Sequence, residues 1–66
     1  MRIMINGENR ELADGLTVAA LLAHLGIDTR KVAVERNLEI VPKSAFTATA
    51  VEDGDRLEIV HFIGGG

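Results

Sequence analysis

The sequence predicts an α+β fold in which a mixed sheet of about four to five strands carries one helix across one face. Three observations lead there. Alternating apolar segments stand at both ends of the chain, Met1 to Asn6 and Arg56 to Ile63, and alternation of period two marks a half-buried strand. Between them one segment, Val18 to Leu25, places its large apolar residues at helical spacing. A helix that short is not stable alone, so its apolar face must dock on the sheet.

In the first strand Met1, Ile3 and Ile5 form one face, and Arg2, Met4 and Asn6 the other. Asn6-Gly7 is a strong hairpin signal, because both central positions of a type I′ turn take positive φ. Glu8 to Leu12 returns as the second strand, and Ala13-Asp14-Gly15 is a loop. Thr17 is the helix N-cap. Val18, Leu21, Leu22 and Leu25 fall at i, i+3, i+4 and i+7. Leu16 reaches Leu21 across the cap as a hydrophobic staple. Gly26 fits the left-handed position after the helix, with Ile27 folding back toward Leu22. Lys31 to Glu35 is the third strand, Val32 and Val34 on one face and Ala33 on the other. Arg36-Asn37-Leu38 turns into a short fourth strand, Glu39 to Val41, which Pro42 stops. Lys43 to Ala50 is irregular, and Phe46 plugs one end of the core. Glu52-Asp53-Gly54-Asp55 turns into the last strand. The first and last strands are the most apolar, so they are central, adjacent and parallel, with the helix in their connection. That order of elements is the β-grasp, or ubiquitin-like, arrangement. Residues 1–63 form its single domain and 64–66 a flexible glycine tail.

Composition bounds the function. A chain of 66 residues makes one domain that buries only about 60% of its unfolded surface. It has no cysteine, hence no disulfide and no thiolate metal site. Its net charge is −3, and its seven bases are scattered, with only Arg30-Lys31 adjacent. Tyr and Trp are absent, which argues against a nucleic-acid surface. No apolar run has membrane-spanning length, and the N-terminus lacks the layout of a signal peptide. The expectation is a cytoplasmic protein that engages neither nucleic acid nor membrane.

The chemistry points to the other end. Gly64-Gly65-Gly66 follows the last strand directly. Three glycines neither extend a sheet favourably nor pack a side chain. Lacking Cβ, they pass through a channel too narrow for other residues. Extended, they span roughly 10 Å at about 3.3–3.6 Å each, so a terminal carboxylate reaches a buried site while the folded body stays outside. Ordering that tail costs about 1–2 kcal/mol per residue, which contacts by the body must offset. Val60 and Phe62 lie on the strand face opposite Leu57 and Ile59. With Met4, and with Ile63 at the root of the tail, they form the expected partner-binding patch.

The ending Glu58-Ile59-Val60-His61-Phe62-Ile63-Gly64-Gly65-Gly66 resembles the sulfur carriers of thiazole (thiamin) biosynthesis, the ThiS family. So do Val34-Glu35-Arg36-Asn37, Glu39-Ile40-Val41-Pro42 and Ile5-Asn6-Gly7, so that the likeness covers essentially the whole chain. One departure is visible. Many relatives turn with Asn-Gly where this chain has Asn37-Leu38, and Leu is strained at positive φ, so the turn type there is open. The resemblance implies that Gly66 carries the reaction and that Gly64 and Gly65 give access. A partner related to ubiquitin-activating enzymes would adenylate the Gly66 carboxylate with ATP and Mg²⁺. A persulfide protein would supply sulfur, and the resulting thiocarboxylate would serve thiazole synthase. The chain itself would be a co-substrate with no stably bound cofactor, and not an enzyme.

Two rivals share the fold: the small subunit of molybdopterin synthase, and a ubiquitin-like binding module without covalent chemistry. The remaining polar residues have plainer readings. His61 follows Leu57 and Ile59 in register and caps the core edge, and His24 lies away from the leucine face. Neither has a serine, cysteine or placed carboxylate to complete a triad. Glu52, Asp53 and Asp55 form a solvated turn, being too few for a calcium loop.

Overall fold

Alternation at the N-terminus produces strand β1, Arg2–Ile5, with Ile3 and Ile5 buried. The computed structural model describes residues 1–62, so the expectations for Ile63, Gly64, Gly65 and Gly66 lie outside the described residues. Asn6 and Gly7 both take positive φ, 49° and 83°, and the chain returns antiparallel as β2, Glu8–Glu11. The described residues continue through α1, Val18–His24, then β3, Val32–Arg36, β4, Glu39–Val41, and β5, Arg56–His61. Short 3₁₀ turns at Thr29–Lys31 and Lys43–Ala45 flank the β3–β4 hairpin.

The helix forms where its punctuation demands. The Thr17 hydroxyl accepts from the Ala20 N–H at 3.1 Å. The Val18 and Ala19 N–H groups, which no helical partner can satisfy, donate to the carbonyls of Thr49 and Phe46. Segment 46–51 is thereby tied across the start of the helix, and Val51 donates back to the Leu16 carbonyl. At the other end Gly26 sits at φ 73°. Its N–H donates to Ala23 and that of Ile27 to Leu22, the paired bonds of a Schellman cap.

The five strands form one mixed sheet in the order β2-β1-β5-β3-β4. The first and last strands are adjacent and parallel, Met4 opposite Arg56 and Ile5 opposite Leu57. Against the core-facing side of the sheet lie Val18, Leu21 and Leu22 of the helix, all fully buried, and Phe46 closes the core.

Three expectations need correcting. The third strand begins at Val32, because Asp28 accepts from the Arg30 N–H and caps a 3₁₀ turn that consumes Lys31. His61 is exposed, because the sheet's core side has already ended at Ile59. The Glu52-Asp53-Gly54-Asp55 turn is not wholly solvated: Asp55 is buried and ion-paired.

Candidate functional site

Everything that could present the C-terminal residues hangs on β5, so what holds that strand defines the site. Two asparagines do much of it. Asn6, at the first position of its turn, uses its side-chain amide as a strand residue would use its backbone. Its Oδ1 accepts from the Ile59 N–H at 2.7 Å and its Nδ2 donates to the Ile59 carbonyl at 3.1 Å. The ladder on the β1 side of β5 is thus carried one step past the end of β1. Asn37, at the equivalent position of the β3–β4 turn, holds the start of the strand. Its Oδ1 accepts from the Arg56 N–H at 3.0 Å and its Nδ2 donates to Asp55 at 3.0 Å.

Asp55 anchors this second clamp. Its carboxylate accepts from Arg36 Nε at 2.6 Å and from the Glu52 N–H at 2.8 Å. Burial pushes the Asp55 carboxyl up, but the hydrogen bonds from Arg36, Glu52 and Asn37 outweigh it and hold the group below its ordinary value. The same contact with Asp55 holds the Arg36 guanidinium firmly charged. The sequence analysis placed Arg36 and Asn37 in a turn and in a resemblance, but gave neither side chain a role in holding β5. A short polar residue at a turn, followed by its partner on the next loop, was the available signal.

Held this way, β5 buries Leu57 and Ile59 and turns the alternate side chains outward. On the outer face Val60 lies opposite Ala33 of β3, and Glu58 opposite Glu35, which in turn faces Ile40 of β4. Val60 is 60% exposed and Phe62 51%, as the alternation predicts. Phe62 remains tied to the body through its N–H, which donates to the Lys31 carbonyl at 2.9 Å. Lys43 Nζ stands 4.9 Å above its ring centroid, within cation–π range, and also donates to the Arg30 carbonyl.

Met4 is on the same outer face and half-buried, but its register partner is Arg56, four residues before Val60. At about 3.3 Å per residue that is roughly 13 Å along the strand, so the structure brings Val60 and Phe62 together and leaves Met4 apart. Two apolar residues not singled out as partner-facing are exposed on the β3–β4 hairpin: Ile40, at 66%, and Leu38, at 80%. Ile63, Gly64, Gly65 and Gly66 lie outside the described residues. Among the described residues no cluster of three or more histidine or acidic side chains could hold a metal. No helix among them is long and apolar enough to cross a membrane.

The chain matches the model of the ThiS family over residues 3–66. It is 65% identical over its whole length to a thiazole synthase of Paramagnetospirillum magneticum and 44% identical to one of Magnetococcus marinus. The chain spans a fifth (20%) of the length of each of these two relatives. It is 38% identical to the sulfur carrier protein ThiS of Bacillus subtilis, with 97% of this chain and 98% of that one covered. The crystal structure of the thiamine biosynthesis protein ThiS from Geobacter metallireducens superposes with a TM-score of 0.87 at 39% identity, each chain covered completely.

Proposed function

The chain belongs to the ThiS family, and from that premise we propose that it is a sulfur carrier for thiazole formation in thiamin biosynthesis, with Gly66 as the reacting residue. The observation that carries the reading is the end-to-end likeness to a sulfur carrier protein, joined to a sequence in which Gly64-Gly65-Gly66 stand only a few positions after β5 ends at His61.

The chemistry explains why such an end is useful. A carboxylate is a poor electrophile, being anionic and resonance-stabilised. An adenylating partner joins the Gly66 carboxylate to the α-phosphorus of ATP and releases pyrophosphate, Mg²⁺ balancing the phosphate charge. The mixed anhydride carries AMP as a good leaving group. A persulfide sulfur attacks the acyl carbon, AMP departs, and cleavage of the S–S bond by a thiol leaves a thiocarboxylate on Gly66. Its sulfur is the better nucleophile and passes to thiazole synthase. In this scheme the chain is a co-substrate, and ATP and Mg²⁺ belong to the partner. The two relatives named thiazole synthase support that enzyme as the acceptor.

The body's part is docking. Val60 and Phe62, exposed beside the root of the tail, supply the contact that offsets ordering three glycines. Phe62→Asp is expected to leave the fold intact, since the side chain is outside the core, and to weaken binding to the adenylating enzyme by about tenfold or more, the loss typical of an aromatic anchor. Isothermal titration of folded mutant against wild type tests this, and equal affinities would refute it. One residue added after Gly66 is expected to abolish sulfur loading while Tm stays unchanged. Normal loading of that variant would exclude a carboxylate mechanism at Gly66.

A further inference from the structure

Phe62 is exposed, yet it is held at two points, and both holds go back to one short turn. The 3₁₀ turn Thr29–Lys31 offers two successive carbonyls. That of Lys31 accepts from the Phe62 N–H at 2.9 Å. That of Arg30 accepts from Lys43 Nζ at 2.8 Å, and the same ammonium stands 4.9 Å from the centroid of the Phe62 ring. Lys43 therefore links the turn to the ring.

Each part of that linkage is fixed by its own local chemistry. Asp28 accepts from the Arg30 N–H at 2.9 Å, from its Nε at 3.1 Å and from its Nη2 at 2.9 Å, so the turn is pinned just ahead of the two carbonyls. Those bonds, the Arg30 side chain's foremost, hold the Asp28 carboxyl down to about 2, and it stays ionised near neutral pH. On the other side Pro42, at φ −63°, precedes Lys43. The Lys43 carbonyl accepts from the N–H of Phe46, a core residue. Lysine otherwise carries its charge on a long, flexible stem. Among the described residues the Lys43 ammonium has no carboxylate within ion-pair distance. Its partners are a carbonyl and an aromatic face. This matters for binding, because a side chain ordered only on docking forfeits about two- to tenfold in affinity. A ring held before the encounter keeps that factor.

We propose that Lys43 is a positioning residue for sulfur loading: it presets the Phe62 ring in the orientation that the adenylating enzyme receives. The inference rests on the sulfur-carrier reading and deepens it. Lys43 does not reach the reacting group. Gly66 is four positions beyond Phe62, roughly 13 Å in an extended chain at about 3.3 Å per residue. The effect of Lys43 therefore falls on recognition and not on the chemical step.

The test is carrier-dependent ATP–pyrophosphate exchange by the adenylating enzyme, run on the full chain with two variants. Lys43→Met keeps an unbranched stem without the charge, and Lys43→Arg restores a cation able to lie over a ring. Lys43 is exposed, so both are expected to fold, with Tm within a few degrees of wild type. Lys43→Met is expected to raise KM for the carrier about two- to fivefold with kcat unchanged, as when an interaction made equally in ground and transition states is lost. Lys43→Arg is expected to return KM to the wild-type value. NMR of the free chain gives a second readout. The Phe62 ring current is expected to shield the Lys43 Cε protons, and Phe62→Leu to abolish that shift. Unshifted Cε protons in wild type would overturn the proposal. So would a wild-type KM in Lys43→Met, a loss confined to kcat, or no rescue by Lys43→Arg. A KM that falls in Lys43→Met would overturn it too, because Lys43 would then restrain Phe62 against docking. Absence of any exchange with the wild-type chain, from an enzyme active on another carrier, would instead refute the sulfur-carrier reading and the inference with it.

Discussion

Asp55 is the residue on which the start of β5 turns. It is buried, accepts from Arg36, Asn37 and the Glu52 amide, and titrates below its ordinary value. Asp55→Ala removes the acceptor and leaves a half-buried guanidinium unpaired. A loss of about 3 kcal/mol is expected, read from the urea midpoint. The sign with pH follows from the depressed value. The stabilisation is fully present above the unfolded carboxyl's pKa and is lost as pH falls through the lower folded one. Wild type should therefore lose stability on acidification below about pH 4 more steeply than Asp55→Asn. Parallel acid-denaturation curves would contradict this. The sequence did not disclose the role, because four consecutive turn-forming residues look alike and Arg36 arrives from nineteen positions away. Leu38 was legible only in part. Its strain at positive φ could be named from the residue type, but only the hairpin geometry shows that the strained conformation is the one adopted.

Among the elements, the helix was the most readable and the start of β3 the least. Helix limits follow from local chemistry: a hydroxyl at Thr17, leucines at fixed spacing and a glycine at the left-handed stop. Each works within a few residues, so each can be read along the chain. Gly26→Ala should cost about 1 kcal/mol in chemical denaturation. The cost is conformational, because a Cβ at Gly26 meets nothing within 4 Å. An unchanged midpoint would show that the cap is not needed. Strand limits depend on partners contributed from elsewhere. Asn6 is the example. Its turn was predictable from Asn-Gly, whereas its amide pairing with Ile59 required β5 to be alongside. Asn6→Gly preserves the turn's φ and deletes two hydrogen bonds, so a loss of about 2 kcal/mol is expected. Amide exchange of Ile59 should quicken most, and unaltered exchange there would rule the pairing out.

At the scale of the whole molecule, the β-grasp topology, the parallel pairing of first and last strands and the outward face of β5 were all contained in the alternation and order of elements. The outer face as a surface was not. Ile40 and Val60 share that face only because β3 lies between their strands and pairs with both, and Met4, on the same side of the sheet, is offset by roughly 13 Å along the strand from Val60. The fold thus divides labour. Buried leucines, Asp55 and two asparagines hold β5 in place, and in the proposed function its exposed face meets partners while Gly64-Gly65-Gly66 delivers the reacting group. The most direct test of that account is to incubate the protein with ATP, Mg²⁺, an adenylating enzyme and a sulfur source, alkylate with a thiol reagent, and locate the adduct by fragment mass. The chain has no cysteine, so the adduct reports a thiocarboxylate, whereas intact mass alone would confuse sulfur for oxygen exchange with oxidation of Met1 or Met4. The account predicts an ATP-dependent adduct on the C-terminal fragment. No adduct, from an enzyme that modifies another carrier in the same assay, would contradict it.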